Sequence, residues 1–196
     1  GAMSESELKG IVARLAAPLA ASLGLELWGV EAALSGKGVL RVFADAPGGA
    51  DIDRCAELSR LLGLALDVED CMTGPYVLEV SSPGLERRFF TAEQLAGAVG
   101  SQVEIVLLAP LTPGESQKKF QGELTVAEGD CFTLAPDCPR GQGEAPSQPV
   151  FSFAQLKTAR LRPLVAEKTR PGKSGTGKKA ARRTGAGGHP APRLEE

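Results

Sequence analysis

At Ser82-Pro83-Gly84 the hydrophobic pattern of this chain changes character, and that change divides what can fold on either side. Proline fixes φ and supplies no backbone donor, so a strand arriving at Pro83 must stop there. The glycine beside it permits a sharp change of direction.

Before this break the apolar residues follow first a helical and then a strand period. Ser4-Glu5-Ser6-Glu7 has the form of a capping box, and Leu8, Ile11, Val12, Leu15, Leu19 and Leu23 then recur at helical spacing up to Gly24. Pro18 lies inside this run and is expected to kink the helix or break its last turn. Leu25–Leu34 and Val39–Ala44 flank Ser35-Gly36-Lys37-Gly38 and read as a β-hairpin in which Trp28, Val30 and Ala32 share one face. After the loop at Ala46–Ala50, Asp51 is the expected N-cap of a second helix that turns Ile52, Cys55, Leu58, Leu62 and Leu66 inward. An acidic link, Asp67–Asp70, leads to a third strand at Tyr76–Ser81. The order α-β-β-α-β predicts two helices layered on a three-stranded sheet.

Beyond the break, a short helical signal at Thr91–Val99 precedes short β runs at Val103–Leu108, Phe120–Val126, Cys131–Leu134 and Val150–Phe153. Turn residues separate them at short intervals, which predicts a small barrel of about five strands. From Glu167 onward no periodic apolar residue remains to offset the entropy of ordering, so this segment is expected to be disordered. The expected organisation is a tag remnant and start methionine at 1–3, an α/β domain at 4–84, an elbow at 85–90, a barrel at 91–166 and a basic tail at 167–196. The fold class is α+β.

Charge separates the same regions. Residues 1–166 carry a net charge of −7 and residues 167–196 a net charge of +5. The tail's Lys178, Lys179, Arg182 and Arg183 belong to a flexible cationic arm of the kind that binds phosphate backbones by counterion release. Gly172–Lys178 resembles a phosphate-binding loop, but Lys179 stands where magnesium needs a hydroxyl and no strand precedes it. Gly97-Ala98-Val99-Gly100 has the letters of a G-x-x-G loop, yet it precedes a strand and is read as a helix stop. The four cysteines form no C-x-x-C pair, and the single histidine, His189, lies in the tail. Ser81 and Ser82 therefore have no histidine in the folded region to activate them. No metal, cofactor or enzymatic activity is expected. No apolar run approaches the length of a membrane span, and the start lacks the pattern of a signal peptide, so a cytoplasmic location is expected.

The run Tyr76-Val77-Leu78-Glu79-Val80-Ser81-Ser82-Pro83-Gly84-Leu85-Glu86-Arg87 resembles the segment that joins the two domains of the RimP family of bacterial ribosome maturation factors. Asp51–Cys55, Leu66–Asp70, Phe90–Glu93, Phe120–Gly122 and Ala159–Pro163 also fall where that family places similar residues, so the resemblance spans roughly Ser4 to Val165. Two features depart from it. Arg88 stands where a proline is usual, which is expected to loosen the elbow, and residues 137–149 form an insertion rich in Gly, Pro and Gln.

The resemblance implies an N-terminal layer similar to some KH-type domains, a C-terminal Sm/SH3-like barrel, and a non-catalytic role in assembling the 30S subunit. The implied partners are 16S rRNA and a basic small-subunit ribosomal protein. The elbow Pro83, Gly84, Leu85, Glu86, Arg87 and Arg88 has two readings: Arg87 pairs with Glu86 or with the other domain to hold the interdomain angle, or it contacts phosphate through its planar fork. Further candidates for RNA are Arg88, Lys118, Lys119, Arg160 and Arg162, the last four as one basic edge. Asp45, Asp51, Asp53, Asp67, Glu69 and Asp70 are candidates for a face presented to the basic protein. A monomer is the default, since no long apolar edge is left unexplained. Rival readings are a non-specific RNA binder and an SH3-like peptide adaptor. The latter normally needs a groove lined by Trp or Tyr, whereas Trp28 and Tyr76 are assigned to the first domain.

Overall fold

The structure is a computed structural model and describes residues 3–137 and 147–163, all within one compact unit, Gly1–Leu164. Helix α1 spans Glu5–Ser22 and opens on the expected capping box: Ser4 Oγ accepts from Glu7 N, and Glu7 Oε2 accepts from Ser4 N. Its buried residues Leu8, Val12, Ala16 and Ala20 repeat every fourth position. Contrary to expectation the helix continues through Pro18 to Ser22. Both Pro18 and Arg14, whose carbonyl loses its donor, lie on the exposed side, where water can satisfy that oxygen.

Strands β1 (Glu26–Ala33) and β2 (Gly38–Asp45) form the hairpin, and α2 (Ile52–Glu69) crosses over to β3 (Tyr76–Ser81), which runs parallel to β2. The order β1-β2-β3 makes β2 the centre of the sheet. Leu8 and Val12 of α1, Leu62 and Leu66 of α2, and Leu40 and Val42 of β2 meet in the first core. Asp51 caps α2 by accepting from Arg54 N at 2.8 Å.

Two local expectations are corrected here. Asp67–Glu69 are the last turn of α2 and not a link; the helix stops at Asp70, whose φ of 47° is left-handed. Ile52 is 86% exposed, because at 3.6 residues per turn it sits roughly 75° from the centre of the stripe formed by Cys55, Leu58, Leu62 and Leu66.

After the elbow come a short helix α3 (Ala92–Ala96) and strands β4 (Gln102–Leu107), β5 (Lys119–Glu128), β6 (Cys131–Pro136), β7 (Val150–Phe151) and β8 (Leu156–Leu161), with a 3-10 turn at Phe153–Gln155. They pair in the order β7-β6-β5-β4-β8 around a second core that includes Leu95, Val103, Ile105, Leu124, Phe132 and Leu134. The expected barrel is not closed: β7 and β8 end the ladder on opposite sides and do not pair with each other. β7 is only two residues long, and the elbow occupies part of β8's outer edge. Phe89 N donates to Ala159 O and Leu161 N to Arg87 O, each at 2.9 Å, with Arg88 opposite Arg160.

Candidate functional site at the elbow

The helix-free face of the first sheet receives the elbow, and a β-bulge explains how. Between Leu27 and Gly29 the β1–β2 register slips by one residue, so Trp28 has no partner on β2. Leu27 and Val30 stay with the first core, whereas Trp28 packs against the second. The expectation that Trp28 shares a face with Val30 and Ala32 is thus corrected. An inserted residue reverses which face the following residues occupy, so simple alternation fails at this point.

Around Trp28 several polar groups of the elbow and of the hairpin are paired. The indole Nε1 donates to Arg88 O at 2.7 Å, Gln94 Nε2 donates to Trp28 O at 2.8 Å, and Gln94 Oε1 accepts from Phe90 N at 2.8 Å. Gln94 is held in place by α3, whose first turn is capped by Thr91. Phe90 lies against Phe43, with ring centroids 5.8 Å apart, and covers Gly29 so closely that a Cβ there would fall 2.1 Å from the ring. Glycine at 29 is required by this close approach.

The two elbow arginines are engaged across the same face. Arg87 pairs with Asp45 on β2 at 2.9 Å and lies 4.7 Å from the centroid of Trp28. Arg88 pairs with Glu31 on β1 at 2.9 Å and lies 5.2 Å from that of Phe90. Glu31 also faces Arg41, which pairs with Glu79 of β3 at 2.7 Å. The four side chains of the two elbow pairs are 23–29% exposed. Half-buried pairs that also stack on aromatic rings are worth more than the 0–1 kcal/mol of a surface pair, roughly 1–2 kcal/mol each. Arg87 thus runs from the elbow to the first sheet. Arg88 ties the elbow to β1.

The other sequence candidates are dispersed. Lys119 pairs with Glu104 at 3.0 Å, and Arg160 lies opposite Glu104 across the β4–β8 ladder. Arg162 pairs with Asp137 at 2.7 Å, and Lys118 Nζ donates to Leu108 O at 3.4 Å. Lys119 and Gln121 both hydrogen-bond Glu104 and keep its carboxyl below the usual range, with Lys119 the larger influence. Cations and carboxylates therefore alternate on this sheet face, and the four residues do not form a purely basic edge.

The acidic candidates are split as well. Asp45 is held by Arg87, and Asp51, an exposed carboxylate, is drawn below its ordinary range chiefly by the Arg54 backbone N–H. Asp53 lies in the first turn of α2, while Asp67, Glu69 and Asp70 lie at its far end, roughly 25 Å away along an 18-residue helix. Glu69 pairs with Arg14 at 2.6 Å. Lys178, Lys179, Arg182 and Arg183, and the expectation of a disordered tail, lie outside the described residues. So does most of the 137–149 insertion. Among the described residues no group of three metal-ligating side chains gathers, and no helix is long and apolar enough to cross a membrane.

Comparison with known proteins gives a consistent result. The family model described as the RimP N-terminal domain matches residues 15–86, from the middle of α1 into the elbow. A protein of Nitratidesulfovibrio vulgaris strain DP4 named ribosome maturation factor RimP is 51% identical over 135 residues, covering 69% of this chain and 78% of the relative. A protein of the same name from N. vulgaris strain Miyazaki F is 40% identical over 209 residues, covering 91% of this chain and 92% of the relative. Another from Desulfovibrio desulfuricans is 34% identical over 195 residues, covering 75% and 76%.

Proposed function

The chain belongs to the RimP family of ribosome maturation factors, and from that premise we propose that it assists assembly of the 30S subunit by binding, without catalysis. Its target is the immature small subunit, through 16S rRNA and a basic ribosomal protein, and it works in the cytoplasm as a monomer. The elbow network carries this reading. Two sheets with separate cores are tied by two ion pairs, one indole hydrogen bond and one glutamine bridge, so the surfaces of both parts reach a target in a fixed relation. Pre-organisation of this kind strengthens binding by reducing the ordering cost paid on association. The −7 charge of residues 1–166 favours a basic protein over a bare phosphate backbone for most of that surface, and the +5 tail favours RNA.

Co-sedimentation with purified free small subunits, large subunits and intact ribosomes, at two salt concentrations, tests this. The expected outcome is pelleting with free small subunits that persists at the higher salt and survives truncation at Val165. Pelleting with every particle that disappears with salt or with the tail would leave only non-specific RNA binding.

A further inference from the structure

Beside the elbow, on the side of α1 and β8, lies a cleft of about 260 Å³ that none of the sequence candidates except Arg88 anticipates. Lys9 of α1, Arg88 of the elbow and Lys157 of β8 line it together with Phe90, Phe153 and Thr158. Three separate stretches of chain thus bring three cations and three phenylalanines, Phe89, Phe90 and Phe153, to one depression. Arg88 is neutralised by Glu31, but Lys9 and Lys157 have no ion-pair partner among the described residues. Of the nearby carboxylates, Glu5 accepts from Leu34 N, Glu7 closes the capping box, Glu31 holds Arg88, and Asp130 accepts from Phe153 N at 3.2 Å. β8 and the 3-10 turn before it contain no carboxylate. Lys9 and Lys157 are thus the cleft's two cations without a carboxylate partner among the described residues.

We propose that this cleft binds one nucleotide of a single-stranded RNA segment, its phosphate held by Lys9 and Lys157 and its base set against Phe153. Three observations select this ligand. Cations alone would suit any anion, but rings beside cations match the alternation of phosphate and base that single-strand binding surfaces use. The volume lies just under the roughly 300–1,000 Å³ typical of sites for drug-sized ligands, which is too small for a dinucleotide cofactor and adequate for one base with its phosphate. Thr158 adds a hydroxyl able to donate to a phosphate or a ribose oxygen. Aligned against the elbow, a bound nucleotide would touch both parts of the chain, so RNA binding and their fixed relation would reinforce one another.

This deepens the proposed function by giving RNA a place on the chain, and the two can fail separately, because the test uses no ribosome. The full chain is titrated with a fluorescein-labelled ten-nucleotide RNA of mixed sequence containing 4-thiouridine, and photocrosslinks are mapped by mass spectrometry. The variants are Lys9→Ala/Lys157→Ala, Phe153→Leu, and Lys37→Ala, at the exposed hairpin turn, as the control; unchanged melting shows that each is folded. The expected results are a loss of about ten-fold or more for the first, about five-fold or more for Phe153→Leu, and little change for the control. The slope of log affinity against log salt should fall by about 0.7 for the loss of one phosphate contact to a single strand. Crosslinks should fall on the peptides containing Phe90 and Phe153. Equal affinity for all variants with crosslinks confined to residues 167–196 would overturn the proposal in favour of the tail. So would displacement of the RNA by an equimolar acidic decapeptide together with indifference to Phe153→Leu, which would make the cleft a site for acidic peptides.

Discussion

Gly29 is the residue on which the elbow turns. Its hydrogen occupies the only space left between β1 and the Phe90 ring, and Phe90 is held in turn by Phe43 and the Arg88 guanidinium. Gly29→Ala is expected to cost about 2 kcal/mol by overpacking, lowering the thermal midpoint by roughly 4–8 °C. A scan by differential scanning calorimetry measures it, and an unchanged midpoint would mean that Phe90 swings away freely. The same site shows where sequence reading stops. The capping box at Ser4 and the cap at Asp51 are legible because both partners lie within three residues. The partners of Arg87 and Arg88 are 42 and 57 residues distant, so neither ion pair is legible in the sequence, which leaves two equal readings of Arg87. Trp28 is misplaced by alternation, and the local mark of the bulge is Gly29 inside the strand run.

Among the elements, the β4–β5–β6 ladder gives two expectations. Gly122 on β5 has Ala135 O of β6 where a Cβ would stand, at 2.0 Å, and a ladder carbonyl cannot swing aside as a side chain can. Gly122→Ala is therefore expected to cost about 3 kcal/mol, the upper part of the overpacking range, and to lower the midpoint by roughly 6–12 °C. Urea unfolding followed by circular dichroism checks this value. Glu104 on β4 has its carboxyl held below its ordinary value of 4.5 by Lys119 first and Gln121 second. A lowered folded value stabilises the native state fully above pH 4.5 and loses that contribution as the pH falls through the folded value. Because Lys119 is 58% exposed, the effect should stay below about 1 kcal/mol. Wild type should exceed Glu104→Gln in urea midpoint at pH 7, with the gap closing toward pH 3. A gap that widens on acidification would contradict the ion-pair account. Element types were largely readable, since capped amphipathic helices and alternating strands declare themselves locally. Ladder closure was not: it depends on β7 being two residues long and on the elbow taking the edge of β8, neither of which is written in a hydrophobic pattern.

For the whole molecule, the cores are separate and the elbow joins them, so the proposed role depends on a relation between parts more than on any single patch. The acidic candidates divide between the two ends of α2, and the basic candidates of the second sheet are interleaved with carboxylates. Neither forms the uniform surface that counting charges along the chain suggests. Family membership supports a ribosomal target, and the elbow supplies the physical reason why both sheets would meet that target together.

The most direct test of that claim is a charge-swap cycle on Arg87 and Asp45, read as affinity for free small subunits by sedimentation. Arg87→Asp and Asp45→Arg should each weaken binding by about ten-fold, and the double variant should recover most of the loss, because the tie is restored with its polarity reversed. Single variants that bind like wild type would contradict a role for the fixed elbow, and a double variant no better than Arg87→Asp would assign the guanidinium to the ribosome itself.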